Sequence, residues 1–220
     1  MKGRERVWLS LPCGQVPPCH EPIAMYEDVQ GDFFAAAACT PVPLLIINSM
    51  LQIPSSIRAV ICDVDGSWSS SLMWYGPQGE SLKPFHVRDG HRMVAARRAG
   101  LVVGVCSGRE SAPLQCRVTD LGLSPLFFGV ADKVACLQAW CADSGVSMSQ
   151  ICMVGDDEPD RELIGHVGCF VAPADADPRI LRRAHQVSRY SAGQGVVAEV
   201  LESWMRQHGH WPPSSTGAVL

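Results

Sequence analysis

Two aspartates stand one residue apart in "ICDVDGSWSSS" (61–71), where an apolar run gives out. Three further polar sets close other apolar runs: Ser107-Gly108-Arg109 in "CSGR", Asp132-Lys133 in "ADK", and Gly155-Asp156-Asp157 with Asp160 in "VGDDEPD". Together these residue types can carry phosphoryl transfer. Carboxylates from two places supply hard oxygen ligands for Mg²⁺, which favours one or two carboxylates plus water and substrate phosphate. A serine hydroxyl and a helix N-terminus can hold phosphate oxygens. A lysine adds positive charge, and an aspartate held in line can attack phosphorus. A second carboxylate two residues on can protonate the leaving alcohol and then deprotonate the attacking water.

Such residues must be brought together by a scaffold, and from Ile57 onward short apolar runs alternate with longer amphipathic stretches, the texture of a parallel sheet wrapped by helices. Strands are expected at 58–64, 101–106, 125–130, 150–155 and 167–172, and helices at 90–99, 111–121, 132–143, 159–165, 178–184 and 195–207. Between the first strand and first helix, "SLMWYGPQGESLKPFHV" places two β-prone runs around "GPQGE" and reads as a β-hairpin. Ligands of open α/β sheets bind beyond the carboxyl ends of the strands, where all four polar sets fall.

In order and spacing, "DVDG", "CSGR", "DK" and "VGDDEPD" resemble the four motifs of the haloacid dehalogenase-like superfamily. Across residues 57 to 205, with "GESLKPFHVRDG" and "DADP", the chain is similar to the 3-deoxy-D-manno-octulosonate 8-phosphate phosphatases. The branch acting on nine-carbon keto-deoxy sugar phosphates is closely similar. The resemblance implies a Rossmann-like three-layer αβα fold with a parallel central sheet, no cap domain and a hairpin that mediates homotetramer assembly, a neighbouring subunit helping to close each site. It implies Asp63 as nucleophile and Asp65 as acid/base, with Asp63, Asp65 (through its carbonyl) and Asp156 on Mg²⁺. Ser107, Gly108 and Lys133 would hold the transferred phosphoryl group, Arg88 the substrate, and Asp157 and Asp160 would orient the metal ligands from behind. The substrate implied is a small sugar phosphate, hydrolysed through an aspartyl phosphate.

Taken singly each motif has a plainer reading. Asp-x-Asp is common turn chemistry, Ser-Gly an N-cap, a lysine a solvated helix residue, and clustered aspartates a helix N-terminal charge; four at four strand ends converge on one role. Several positions depart from the family pattern. Ser67 to Ser71 replace its usual continuation, with Trp68 expected to narrow the pocket mouth. His86 stands for asparagine, Arg92 for a small glycine close to the pocket, and Ala198 for an arginine whose forked guanidinium has no substitute. These substitutions motivate a rival reading, a non-catalytic module kept for oligomerisation.

Length and composition bound the rest. A chain of 220 residues, 47% hydrophobic and 18% charged, fits one globular domain with an extension. A net charge of −4 gives no electrostatic footprint for nucleic acid. Of ten cysteines, Cys62, Cys106, Cys152 and Cys169 fall in or beside buried strands, which fits a reduced cytoplasmic setting, while Cys13, Cys19 and His20 lack finger spacing. The uncharged stretch 33–53 is long enough to span a bilayer, but Pro41 and Pro43 would break a helix there, so no membrane association is expected. The expected organisation is an extension over 1–56, the phosphatase-like domain over 57–207 and a tail over 208–220.

Overall fold

The computed structural model of the chain describes Met25–Glu27, Phe33–Ala35 and residues 50–212. Met25–Glu27 (β1) and Phe33–Ala35 (β2) pair as a short antiparallel ribbon. Cys13, Cys19, His20 and residues 36–49 of the uncharged stretch lie outside the described residues. Among the described residues, no helix is long and apolar enough to cross a membrane.

The expected parallel sheet is present, with six strands. Ala59–Cys62 (β3), Val102–Cys106 (β6), Leu126–Phe127 (β7), Ile151–Val154 (β8), Cys169–Ala172 (β9) and Gln186–Val187 (β10) lie in the order β10-β9-β8-β3-β6-β7, all neighbours parallel. The sixth strand, β10, has no counterpart in the expectations because it is two residues long and carries no apolar run. β3 is central: the chain leaves it to β6 on one side and later returns to β8 on the other, so its C-terminal end is the switch point at which open sheets open a crevice.

Side chains alternate across this sheet. Val60, Cys62, Cys152, Val154 and Val171 face one apolar cluster, and Ala59, Ile61, Ile151, Met153 and Phe170 the other. Helices Val87–Arg98 (α1), Ala112–Leu121 (α2) and Val196–Gln207 (α5) cover the first face through Met93, Leu114, Val118, Val197 and Leu201. Helices Lys133–Ser144 (α3) and Pro178–Leu181 (α4), with a 3-10 segment at Glu158–Gly165, cover the second through Leu137, Ile180 and Leu163. The 3-10 winding replaces the α-helix expected at 159–165; its cap and end close with i→i+3 bonds, Asp160 N–H to the Asp157 carbonyl and His166 N–H to that of Leu163. Leu51 and Ile53, ahead of the first expected strand, are buried in the first cluster.

Trp74–Gly76 (β4) and Gly79–Leu82 (β5) form the expected hairpin. Its base is fastened to the turn after β3: Ser69 Oγ donates to the Pro84 carbonyl at 2.8 Å, and the Trp68 ring packs 4.6 Å from that of Phe85. Trp68 is therefore a core residue, 0% exposed, and does not stand in a pocket mouth as its position suggested. Arg92 is likewise not turned to a pocket. It donates to Glu202 of α5 at 2.6 Å and lies over the Trp211 ring, because it sits one helical turn beyond Arg88 on the side of α1 packed against α5.

The α1–α5 contact also buries Asp89. Its Oδ1 accepts the Ala198 N–H at 2.7 Å, satisfying one of the orphan donors of the first turn of α5. Its carboxyl is pushed up to about 6, by burial first, against the lowering effects of that N–H and of Arg88. Its unfolded value is about 3.9, so the folded chain holds this proton the more tightly. The group's contribution to stability is full below about pH 4 and is lost as pH rises through about 6. Asp89→Asn is expected to flatten that dependence, by up to about 3 kcal/mol. Urea unfolding of both proteins across this window measures it; parallel slopes would contradict it.

Candidate active site

Beyond Cys62 the chain turns back at once. The Ser67 and Ser69 N–H groups both donate to the Val64 carbonyl, and Trp68 N–H donates to that of Asp63, so five residues reverse direction at the end of the central strand. Gly66 allows this turn: its φ is +90°, and a Cβ there would lie 1.9 Å from Asp156 Oδ2. After β8, Gly155 leaves room of the same kind, since a Cβ there would meet the Asp160 carboxyl carbon at 2.7 Å. Two glycines thus clear the volume into which two carboxylates fit.

Lys133 enters from the opposite side of the crevice. Asp132 caps α3, accepting the Ala135 N–H at 2.9 Å, which makes Lys133 the first helical residue and points its side chain along the sheet's C-terminal edge. The ammonium is buried and donates at 2.6 Å to both Asp63 Oδ1 and Asp160 Oδ1. Asp160 Oδ2 accepts the Asp156 N–H at 3.2 Å, and Asp156 Oδ1 accepts from Ser67 Oγ at 3.2 Å. Carboxylate oxygens of Asp63, Asp156 and Asp160 lie within 4.8 Å of one another.

Three carboxylates against one ammonium leave a deficit of positive charge. Burial, then Asp160, pushes the Asp63 carboxyl up to about 7, against the pull of Lys133. Burial, then Asp63 and Asp160, pushes Asp156 up to about 8. A divalent cation on these hard oxygens would supply the missing charge, so the donor set fits Mg²⁺ by number and chemistry.

Ser107 follows β6 with its N–H on the Phe127 carbonyl, and its Oγ accepts the Arg109 N–H at 3.2 Å, which leaves the hydroxyl proton free to donate. A Cβ on Gly108 would meet only the Val130 carbonyl, at 3.6 Å. Asp157 is exposed and caps the 3-10 segment through the Glu158 N–H at 2.7 Å, apart from the carboxylate trio. Arg88 lies over the Tyr190 ring at 4.7 Å, its Nε buried without an acceptor. Asp65 is expected on the metal through its backbone carbonyl, and its carboxylate, free of that role, is paired with Lys83; Asp160, expected behind the ligands, brings its side chain into the trio with Asp63 and Asp156. Lys83, Glu80 and the Ser67 hydroxyl were missed. Only the charge pair spaced by three in "GESLK" could have signalled the first two.

Comparisons with known proteins agree on one group. A family model described as haloacid dehalogenase-like hydrolase matches residues 126–201. The 3-deoxy-D-manno-octulosonate 8-phosphate phosphatase of Yersinia pestis is 36% identical over 157 residues, covering 71% of this chain and 84% of the relative. Among solved structures, the phosphatase of that name from Moraxella catarrhalis, in complex with magnesium, phosphate and the KDO sugar, superposes with a TM-score of 0.69 at 26% identity, over 71% of this chain and 90% of that one. The cobalt-bound deoxy-D-mannose-octulosonate 8-phosphate phosphatase of Haemophilus influenzae gives 0.68 at 32% identity, over 70% and 91%.

Removing the buried ammonium should leave Asp63 and Asp160 uncompensated. Lys133→Met is expected to lose about 3 kcal/mol of stability at neutral pH without divalent cation, since breaking a buried pair strands its charges. The loss should shrink toward about pH 5 as the carboxylates take up protons. Urea unfolding at the two pH values measures it, and an undiminished loss in acid would contradict it.

Proposed function

The chain belongs to the haloacid dehalogenase-like hydrolases, in the family of the 3-deoxy-D-manno-octulosonate 8-phosphate phosphatases, and on that premise we propose that this phosphoric monoester hydrolase removes phosphate from 3-deoxy-D-manno-octulosonate 8-phosphate through an aspartyl phosphate on Asp63. The observation that carries the reading is Lys133, whose ammonium holds the Asp63 carboxylate at the switch point of the sheet, 2.6 Å away.

Mg²⁺ would be held by Asp63, Asp156 and the Asp65 carbonyl, with Asp160 beside them. When bound it neutralises charge on the phosphoryl oxygens and on the crowded carboxylates. Asp63 attacks phosphorus, and the bond to the sugar oxygen breaks in line. Lys133 and the free hydroxyl proton of Ser107 take phosphoryl oxygens as charge spreads onto them, which costs no reorganisation because both groups are already fixed by neighbours. Asp65 gives its proton to the departing alkoxide, then takes one from the water that attacks phosphorus and releases Asp63. Arg88, whose Nε has no acceptor, stands ready for an acidic group of the sugar.

The hairpin supports self-assembly into a homotetramer. Leu72, Trp74, Tyr75 and Leu82 are all more than half exposed, an apolar patch of the kind that marks an interface. All described cysteines are free thiols, in keeping with a cytoplasmic setting.

Asp63→Asn should lower phosphate release from the octulosonate phosphate by at least about 10³-fold with little change in fold, as loss of a covalent nucleophile does. Chelation of divalent cation should abolish turnover of the parent, and Mg²⁺ should restore it. A panel of eight- and nine-carbon keto-deoxy sugar phosphates ranks the substrates. An Asp63→Asn protein as fast as the parent would overturn the reading.

A further inference from the structure

The hairpin brings a cation to the site. The side chain of Lys83, one residue beyond β5, is 1% exposed, so its ammonium has given up water and must find charge within the protein. It meets two carboxylates: it donates to Asp65 Oδ1, and it lies 2.7 Å from Glu80 Oε1. Glu80 is itself fixed, its Oε2 accepting from Arg109 Nη2 at 3.2 Å, and the same nitrogen donates to the Tyr75 hydroxyl at 3.0 Å. Lys133 thus holds Asp63 and Asp160, while a second buried lysine, from a different element, holds Asp65.

A latch for the hairpin would be the simplest use for such a pair. That role is already filled at the adjoining residues, by the Ser69–Pro84 hydrogen bond and the Trp68–Phe85 packing. The ammonium's distinctive contact is with the carboxylate itself. An exposed ion pair would hold no geometry. A buried ammonium with a second anchored partner does, because Glu80 keeps it from following Asp65, and swinging Asp65 away would cost the desolvated cation one of its two carboxylates.

We propose that Lys83 is a positioning residue for proton transfer by Asp65. Holding Oδ1, it leaves Oδ2 as the oxygen that passes the proton. In the first half-reaction the Oδ2 proton goes to the leaving oxygen as that oxygen departs from phosphorus with its electron pair. In the second, Oδ2 takes a proton from water as the water oxygen bonds to phosphorus and the Asp63–phosphorus bond breaks. This inference rests on the phosphatase reading above.

The test is a series of aryl phosphates of nearly one shape, whose leaving phenols differ in acidity and which lack the sugar, so that sugar recognition plays no part. Phenol, with a pKa of about 10, needs a proton as it leaves, whereas 4-nitrophenol does not. Proton transfer contributes about 10²–10⁴-fold. Lys83→Met is expected to lower kcat/KM on phenyl phosphate at least about tenfold more than on 4-nitrophenyl phosphate. Lys83→Arg, which keeps a cation, should recover part of the difference, and Asp65→Asn should show the same selectivity in larger measure. Turnover of 4-nitrophenyl phosphate serves as the control for folding, and Lys83→Gln provides a second variant. Equal losses on all esters, or none, in both Lys83→Met and Lys83→Gln would overturn the inference and leave the phosphatase reading standing. A parent chain with Mg²⁺ that released phosphate from no ester, the octulosonate phosphate included, would overturn both.

Discussion

The ammonium of Lys133 between Asp63 and Asp160 is the contact on which the rest of the site depends. Three carboxylates at neighbouring strand ends repel one another, and burial raises the cost of each charge. One lysine cannot neutralise three, but it can hold two at fixed positions and leave the third, Asp156, to share a divalent cation with them. The surrounding structure serves this arrangement. Parallel strands bring β3 and β8 side by side with their carboxyl ends together. Gly66 and Gly155 clear space for Asp156 and Asp160, and the Asp132 cap sets Lys133 at the head of α3.

Much of this was legible because it depends on local rules. Runs such as "RAVICDV" and "QICMVG" are too apolar and too short for anything but buried strands, and the polar residue that ends each run lies at the sheet's C-terminal edge. The hairpin was legible from β-prone runs flanking glycines. What was not legible depends on where long side chains go in three dimensions. Lys83 in a largely exposed hairpin carries no pattern that predicts a buried ammonium on Asp65, and Arg92 gives no sign in sequence that Glu202 and Trp211 will receive it. β10 escaped because parallel pairing to β9 needs only two residues, Gln186 and Val187.

The segment "SWSSS" changes meaning in the structure. Ser67, Trp68 and Ser69 are wholly buried beneath the site, while Ser70 is half-buried and Ser71 exposed. Ser67 supports Asp156, Ser69 fastens the hairpin, and Trp68 fills the core with its Nε1 unpaired. Ala198 is buried too, its N–H committed to Asp89. The carboxylates and lysine that would carry phosphoryl transfer are all present and mutually held.

The central claim is that Asp63 carries the phosphoryl group during turnover. It is tested most directly by quenching the Mg²⁺-loaded protein in acid during steady turnover of the octulosonate phosphate, reducing any acyl phosphate with borohydride and sequencing the peptides by mass spectrometry. The account predicts that residue 63 alone among the aspartates is recovered as homoserine, in an amount that rises with substrate and vanishes without it. Full-rate phosphate release with Asp63 recovered unmodified, or with another residue trapped in its place, would contradict it.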